Sequence, residues 1–441
     1  LDAVELRDLV FETLDETYAH IETRGVAGVA VSAFWHSVLG VDARGCPTTP
    51  VFTWADRRAA GAAGELRERL DGAEIHRRTG CVLHSSYLPA KLLWSSRSFP
   101  GAFSRTEAWI SPGEYLYSRL FGETHVGTSM AAGTGLLDQN SKTWDEGILA
   151  ALPIGEDQLS PISDEPSRGL RAEWAWRWPA LADVPWFPAV GDGACSNIGS
   201  GCTGSGRLAL MIGTSGALRV LWKADSVRVL EGLWCYRSDA ERFISGGALS
   251  DGGNLVGWLR KTLRLPEPGE TEEILAAMEP DAHGLTFLPL LAGERGPGWA
   301  DTANGTVAGL SMATSPVDIL RAAMEAVALR FALIAESLDA AFPEGASSRA
   351  VIATGGGLSS SPTWTGILAD ALGRPMTASA VPEASSRGAA LLALEALGGP
   401  VIEEVAAPLG ETYEPDLSRH AIYREALERQ RELYDAVMRK A

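Results

Sequence analysis

Positive charge is scarce in this chain. Its 441 residues hold 38 Lys and Arg against 56 Asp and Glu, a formal net charge of −18, with no Lys/Arg-rich block. This argues against a nucleic-acid partner, because no such block exists to release counterions from phosphates. Long apolar runs are missing too. Nothing reaches the roughly 18 consecutive apolar residues of a spanning helix, and the opening LDAVELRDLVFETLDETYAHIE is acidic rather than signal-like, so neither membrane insertion nor export is expected. The five cysteines, Cys46, Cys81, Cys195, Cys202 and Cys235, are odd in number and lack CxxC spacing. Disulfides and structural zinc are therefore not expected, and a reducing cytoplasm fits. No GxxxxGKS/T run occurs, and the GxGxxG match at 199–204 follows an expected helix rather than a strand. Neither a Walker loop nor a dinucleotide site is expected.

What is present suits a globular α/β protein. A hydrophobic content of 46% over this length can fill the cores of two domains. Patterning predicts a helix over 4–21, a strand over 26–32 that ends at Ala33-Phe34-Trp35-His36, and a mostly helical region over 55–120 punctuated by Pro89, Pro100 and Pro112. The Trp/Pro-rich stretch 174–188 reads as a covering loop. Strands are expected near Leu208, Leu218 and Phe243 and over 350–354, and the domain boundary near Thr203. Ser315-Pro316-Val317-Asp318 announces a long helix reaching 342. That helix is apolar on nearly every face early on, which predicts burial between the domains. A terminal helix over 418–439 places Tyr423, Leu427, Tyr434 and Val437 on one stripe.

Three constellations carry chemistry. Asp192, between two glycines and before a helix-compatible run, can cap that helix and keep one oxygen free for a proton; a plain turn or cap residue is the alternative. One strand later, Gly213-Thr214-Ser215-Gly216 offers unshielded amides and two hydroxyls to phosphate oxygens, or is merely a tight hairpin. The run Thr354-Gly355-Gly356-Gly357-Leu358-Ser359-Ser360-Ser361 lies between a strand and a helix, where a simple turn explains one glycine but not three. Trp35-His36 and Thr53-Trp54-Ala55-Asp56-Arg57-Arg58 follow apolar segments. At strand ends facing a crevice they would supply stacking and hydrogen bonds to a polyol; a core Trp, a satisfied His and a capping Asp is the structural alternative. The small residues of 383–390 are expected to serve close helix packing.

Taken in order, these segments resemble the FGGY carbohydrate kinases, of the actin-like ATPase fold, and most closely their gluconokinase branch. GTVAGL at 305–310, followed seven residues later by DILRAAME at 318–325, is similar to the family's C-terminal signature. FLP at 287–289 with AGERGP at 292–297, and RTG at 78–80 with PAKLLW at 89–94, resemble further family segments. TWADRRA at 53–59, GTSGALR at 213–219, WCYR at 234–237 and GGALSDGGNLVGW at 246–258 carry the gluconokinase likeness. The resemblance implies two actin-like (ribonuclease H-like) ATPase domains around a cleft, over 1–203 and 204–441. It implies Asp192 as catalytic base and Mg²⁺ neighbour. Gly213, Thr214, Ser215, Gly253, Gly357 and Ser361 are then implied around ATP, and Trp35, His36, Trp54, Asp56, Arg57 and Lys91 along the sugar wall.

The implied reaction moves the γ-phosphoryl group of ATP, with Mg²⁺, to a hydroxyl of a small sugar or sugar acid. Gluconate is preferred because His36, Arg57, Arg58 and Lys91 offer cations to a carboxylate. Xylulose or another ketose is the alternative substrate, and a homodimer the assembly to test. The family's N-terminal strand and DxGTSS-type phosphate loop have no counterpart here. The first domain is thus expected to lack its N-terminal strands in this sequence, with that segment lying before Leu1. Were the loop truly absent, a non-catalytic nucleotide sensor of the same fold would be the alternative.

Overall fold

A seven-stranded sheet organises the second half of the chain, in the order Leu409–Tyr413, Met376–Ser379, Ala350–Thr354, Arg207–Ile212, Gly216–Lys223, Arg242–Leu249, Trp234–Arg237. The structure is a computed structural model and describes residues 1–20, 25–346 and 349–438. Met376–Ser379, Ala350–Thr354 and Arg207–Ile212 run parallel, and the remaining neighbours pair antiparallel. The strands expected near Leu208, Leu218, Phe243 and 350–354 are all present. Those at Trp234–Arg237, Met376–Ser379 and Leu409–Tyr413 were not anticipated.

Alternation along Gly216–Lys223 sorts its side chains between two faces. Leu218 and Val220 enter a core shared with the helix Pro316–Ala341. Leu221 instead joins a second core with Trp35, Trp234 and Tyr236, and Arg219 lies on that side. One strand thus serves both the structural core and the cleft.

The long helix begins on its expected signals. Ser315 Oγ accepts from the Asp318 amide, the Asp318 carboxylate accepts from the Ser315 amide, and Pro316 occupies the first turn. Its location differs from the expectation. It is apolar all round because the sheet covers one side and the helices Pro362–Leu372 and Leu417–Met438 the other, not because it lies between domains. In the terminal helix Tyr423 and Leu427 are buried. The expected end of that helix at Arg439 lies outside the described residues.

The first half is mainly helical, with Ala60–Arg69, Gly72–Thr79, Leu88–Ser98 and Pro112–Phe121, plus an unanticipated strand pair, Leu39–Val41 with Ala108–Ile110. The first helix, Ala3–His20, starts where Asp2 accepts from the amides of Val4 and Glu5; Ile21 lies outside the described residues. The strand expected over 26–32 contracts to Ser32–Ala33 and a bridge at Val29, since its parallel partner Val190–Gly191 is equally short. The Trp/Pro-rich stretch is not a covering loop. Its helix Ala172–Arg177 and the following turn seat Trp178, fully buried, and Leu181 against Phe11.

Two helices join the halves. Asp192–Gly199 packs on Ala384–Ala396 so closely that a methyl on Gly388 would lie 1.9 Å from the Cys195 carbonyl oxygen. Close packing is therefore what the small residues of 383–390 provide.

Candidate active site

Between the halves lies a cavity of about 110 Å³, whose walls include Asp192, Trp35, His36, Ser215, Arg219 and Arg295. Asp192 is the first residue of its helix rather than its cap, and Gly191 takes the cap position without a side-chain bond. The expected capping is thereby corrected: one carboxylate oxygen accepts from the adjacent Gly193 amide at 2.8 Å, and the side chain stands on the cavity wall. The side chain is reachable from the cleft yet surrounded by protein. Burial raises its carboxyl above the usual aspartate range, with the Arg219 guanidinium the strongest opposing influence.

Aromatic rings floor the cavity. The Trp35 indole N–H donates to the Ser129 carbonyl at 2.9 Å, and its ring lies 5.1 Å from that of Tyr236, which stacks on Trp234 at 4.4 Å. Only a glycine fits at 191, where a Cβ would sit 1.9 Å from the Trp35 ring. His36 has a left-handed backbone, φ 60°. Its Nδ1 donates to the Gly133 carbonyl, which leaves Nε2 as an acceptor. Burial drives its pKa down to about 3, so the ring is neutral near pH 7.

Of the other expected sugar-side residues, Trp54 reaches the wall, while Asp56, Arg57 and Lys91 do not. Asp56 pairs with Arg58, which stacks over Trp94 at 4.6 Å. The Arg57 guanidinium bonds the Asp301 carbonyl. Lys91 Nζ donates to the carbonyls of His36 and Ser86 at 2.6 and 2.5 Å, and burial lowers its pKa to about 7 against the pull of Asp56. The set of cations expected to meet a carboxylate is thus engaged elsewhere or, for His36, uncharged. Sequence reading missed Arg219 and Arg295 as the cations on the wall. Both stood inside quoted motifs, and alternation after the 213–216 turn places Arg219 on the face of Ala217.

The turn at 213–216 is a hairpin between Arg207–Ile212 and Gly216–Lys223. Gly213 donates to the Ser215 carbonyl at 2.9 Å, and the amides of Gly253 and Asn254 brace it from outside at 2.8 and 3.1 Å. Among the described residues, the amides and hydroxyls of Thr214 and Ser215 have no protein acceptor. Ser215 opens on the same cavity as Asp192, while Gly213, Thr214, Gly253, Gly357 and Ser361 lie off its wall. Gly357 stands beside Ile212. The Ser361 hydroxyl caps the helix Pro362–Leu372 and donates to Glu272 at 2.9 Å. The described acid–His cluster compact enough for an ion, Asp281, His283 and Glu325, is bound up with Arg321 and Tyr423 and contributes nothing to the cavity wall.

Over residues 3–199 the chain matches the N-terminal domain, and over 208–397 the C-terminal domain, of the FGGY family of carbohydrate kinases. The chain belongs to that family. It is accordingly a carbohydrate kinase, a phosphotransferase, built on the family's two-domain actin-like fold. It is 29% identical to a gluconokinase of Bacillus subtilis (strain 168) over 423 residues, 92% of this chain and 81% of that protein. Among solved structures, a ligand-bound xylulose kinase from Lactobacillus acidophilus superposes with a TM-score of 0.89 and a gluconate kinase from the same organism with 0.88. Each is 27% identical and covers 99% of this chain and 89% of its own. These FGGY relatives differ in the sugar they are named for. No helix of the described residues is long and apolar enough to cross a membrane.

Proposed function

We propose that this FGGY kinase transfers the γ-phosphoryl group of ATP to a hydroxyl of a sugar or sugar acid, with gluconate preferred. The observation that carries this reading is that Asp192 and Ser215, at the edge of an open-amide hairpin, face one aromatic-floored cavity. The Asp192 carboxylate takes the proton of the attacking hydroxyl as its oxygen bonds to the γ-phosphorus and the bond to the β,γ-bridging oxygen breaks, releasing ADP. Thr214 and Ser215 amides hold phosphate oxygens, with Gly213, Gly253, Gly357 and Ser361 lining the nucleotide's path behind them. Trp35, Trp54 and the His36 Nε2 acceptor receive the sugar. Asp56, Arg57 and Lys91 act at one remove, and Lys91 positions His36 through its carbonyl.

The Asp192 carboxylate on the cavity wall would suit a neighbouring Mg²⁺ ion, which keeps several waters and binds through one or two carboxylates together with substrate phosphates. When bound, the ion would supply charge neutralisation. The boundary between the domains is placed between Thr203 and Gly204, after the Asp192 helix and before the first sheet strand. A reducing cytoplasm suits the five free cysteines. A ketose such as xylulose is the second reading, supported by the xylulose kinase likeness.

The test is ADP release by the full-length protein with gluconate, xylulose or glycerol. Sugar-dependent ADP formation is expected, reduced on the order of 10²–10⁴-fold in Asp192→Asn. Full activity in that variant would sink the base assignment, and no sugar-dependent ADP from any substrate would sink the kinase reading.

A further inference from the structure

We infer that Arg219 and Arg295 form a clamp for the carboxylate of the sugar substrate, so that the cavity selects a sugar acid over its neutral counterpart. This rests on the kinase reading of the same cavity. Arg219 is 8% exposed, and its Nη1 is enclosed without a hydrogen-bond partner. The Nε of Arg295 is likewise enclosed and unpartnered, while its Nη2 donates to the Leu249 carbonyl at 3.0 Å and its guanidinium lies 4.6 Å from the Trp54 ring.

Among the other buried arginines, Arg237 is held by the carbonyls of Gln139 and Ala240, and the rest meet acids. Arg242 pairs with Glu395 and Glu403, Arg321 with Glu325, and Arg330 with Glu294. Among the described residues no carboxylate lies within ion-pair distance of Arg219 or Arg295. Asp192 is the one acid on the cavity wall, and burial disfavours its charge; His36 on the same wall is neutral. Two guanidinium groups therefore share a secluded space with less negative charge than they carry, an unfavourable state that an incoming oxyanion relieves. Planar forked donors fit a carboxylate in particular.

The transferring γ-phosphoryl group is the other oxyanion that could enter. The sugar carboxylate is favoured because Arg295 sits over Trp54 and shares the aromatic wall with Tyr236 and Tyr87. The phosphate, by contrast, has the hairpin donors.

The test compares gluconate with glucitol, which carries an alcohol in place of the carboxylate, on the unmodified full-length protein, and then on Arg219→Met and Arg295→Met. Gluconate binding is also followed by calorimetry without nucleotide. The clamp predicts that glucitol has a KM about 30-fold above that of gluconate, equivalent to about 2 kcal/mol. Each variant should weaken gluconate binding by a similar factor and close most of the KM gap between gluconate and glucitol. Equal KM values for the two substrates overturn the clamp, and so do variants that lower kcat alike for both with gluconate binding intact, which assigns the arginines to the phosphoryl group. Turnover of neutral sugars with no gluconate binding also overturns it, and leaves the kinase reading standing. Were no sugar turned over, the kinase reading would fail, while calorimetry of gluconate would still decide the clamp.

Discussion

Asp301 accepts a hydrogen bond from the Ser85 hydroxyl at 2.5 Å on one oxygen and from Arg67 Nη1 at 3.1 Å on the other. His84 Nε2 stands 3.0 Å from the same carboxylate. One acid from the second half of the chain thereby ties down two segments of the first. Its side chain is 2% exposed, whereas that of Arg67 is 44% exposed. Asp301→Ala, which strips a buried network of its acceptor, is expected to lower stability by about 3 kcal/mol. Arg67→Ala should lower it by less than about 1 kcal/mol. Urea unfolding of the two variants checks this, and equal losses would show that the tie is superficial.

Lys91 gives a pH signature. Burial lowers its pKa from 10.5 to about 7, so between those values the unfolded chain binds a proton that the folded chain does not. Stability then rises with pH across that window, by the linkage of proton binding to folding. Lys91→Met should remove this slope, which unfolding curves between pH 7 and 10.5 will read. A slope unchanged in the variant would mean that the ammonium stays charged in the fold. Asp56, the acid that favours that charge, would then prevail over burial.

Asp192 must be ionised to accept a proton, and its carboxyl is raised by burial. The acidic limb of kcat/KM against pH should therefore lie above the ordinary aspartate range of about 4. Arg219→Met removes the strongest opposing influence and should move the limb further up. A limb that moves down, or not at all, would assign it to another group.

Gly355 has φ +98°, and a Cβ there would lie 2.4 Å from the Ile212 carbonyl oxygen. Gly355→Ala should lower stability by about 2 kcal/mol through strain and displaced backbone. Because Ile212 leads into the 213–216 hairpin, the KM for ATP should rise more than that for the sugar. A variant with wild-type melting and unchanged KM values would contradict this.

Much of the site's chemistry was legible before the fold. Asp192 and the 213–216 turn are local patterns: a carboxylate at a helix start and a glycine hairpin are dictated by neighbours within a few residues. The capping box at Ser315 and Asp318 was legible for the same reason. Lys91 and Arg57, expected along the sugar wall, do not line the cavity. Their charges are local facts, but their partners, the carbonyls of His36 and Asp301, are distant or unremarkable in the sequence. The long helix at Pro316–Ala341 was recognised as buried, yet apolarity on every face does not say what covers it.

Motif order and short-range backbone chemistry survive without knowledge of contacts, so the family, the α/β class, the carboxylate at the start of its helix and the glycine hairpin could be read from the sequence. Which cations line the cavity follows from tertiary contacts alone. Arg219 and Arg295 come from separate strand and loop segments, and their enclosed, unpartnered nitrogens depend on burial and on the absence of a paired acid among the described residues, properties that no linear pattern encodes. The tertiary structure also decided that Trp35 is a floor. Its ring is held edge-on to Tyr236 and closely against Gly191, both remote in sequence.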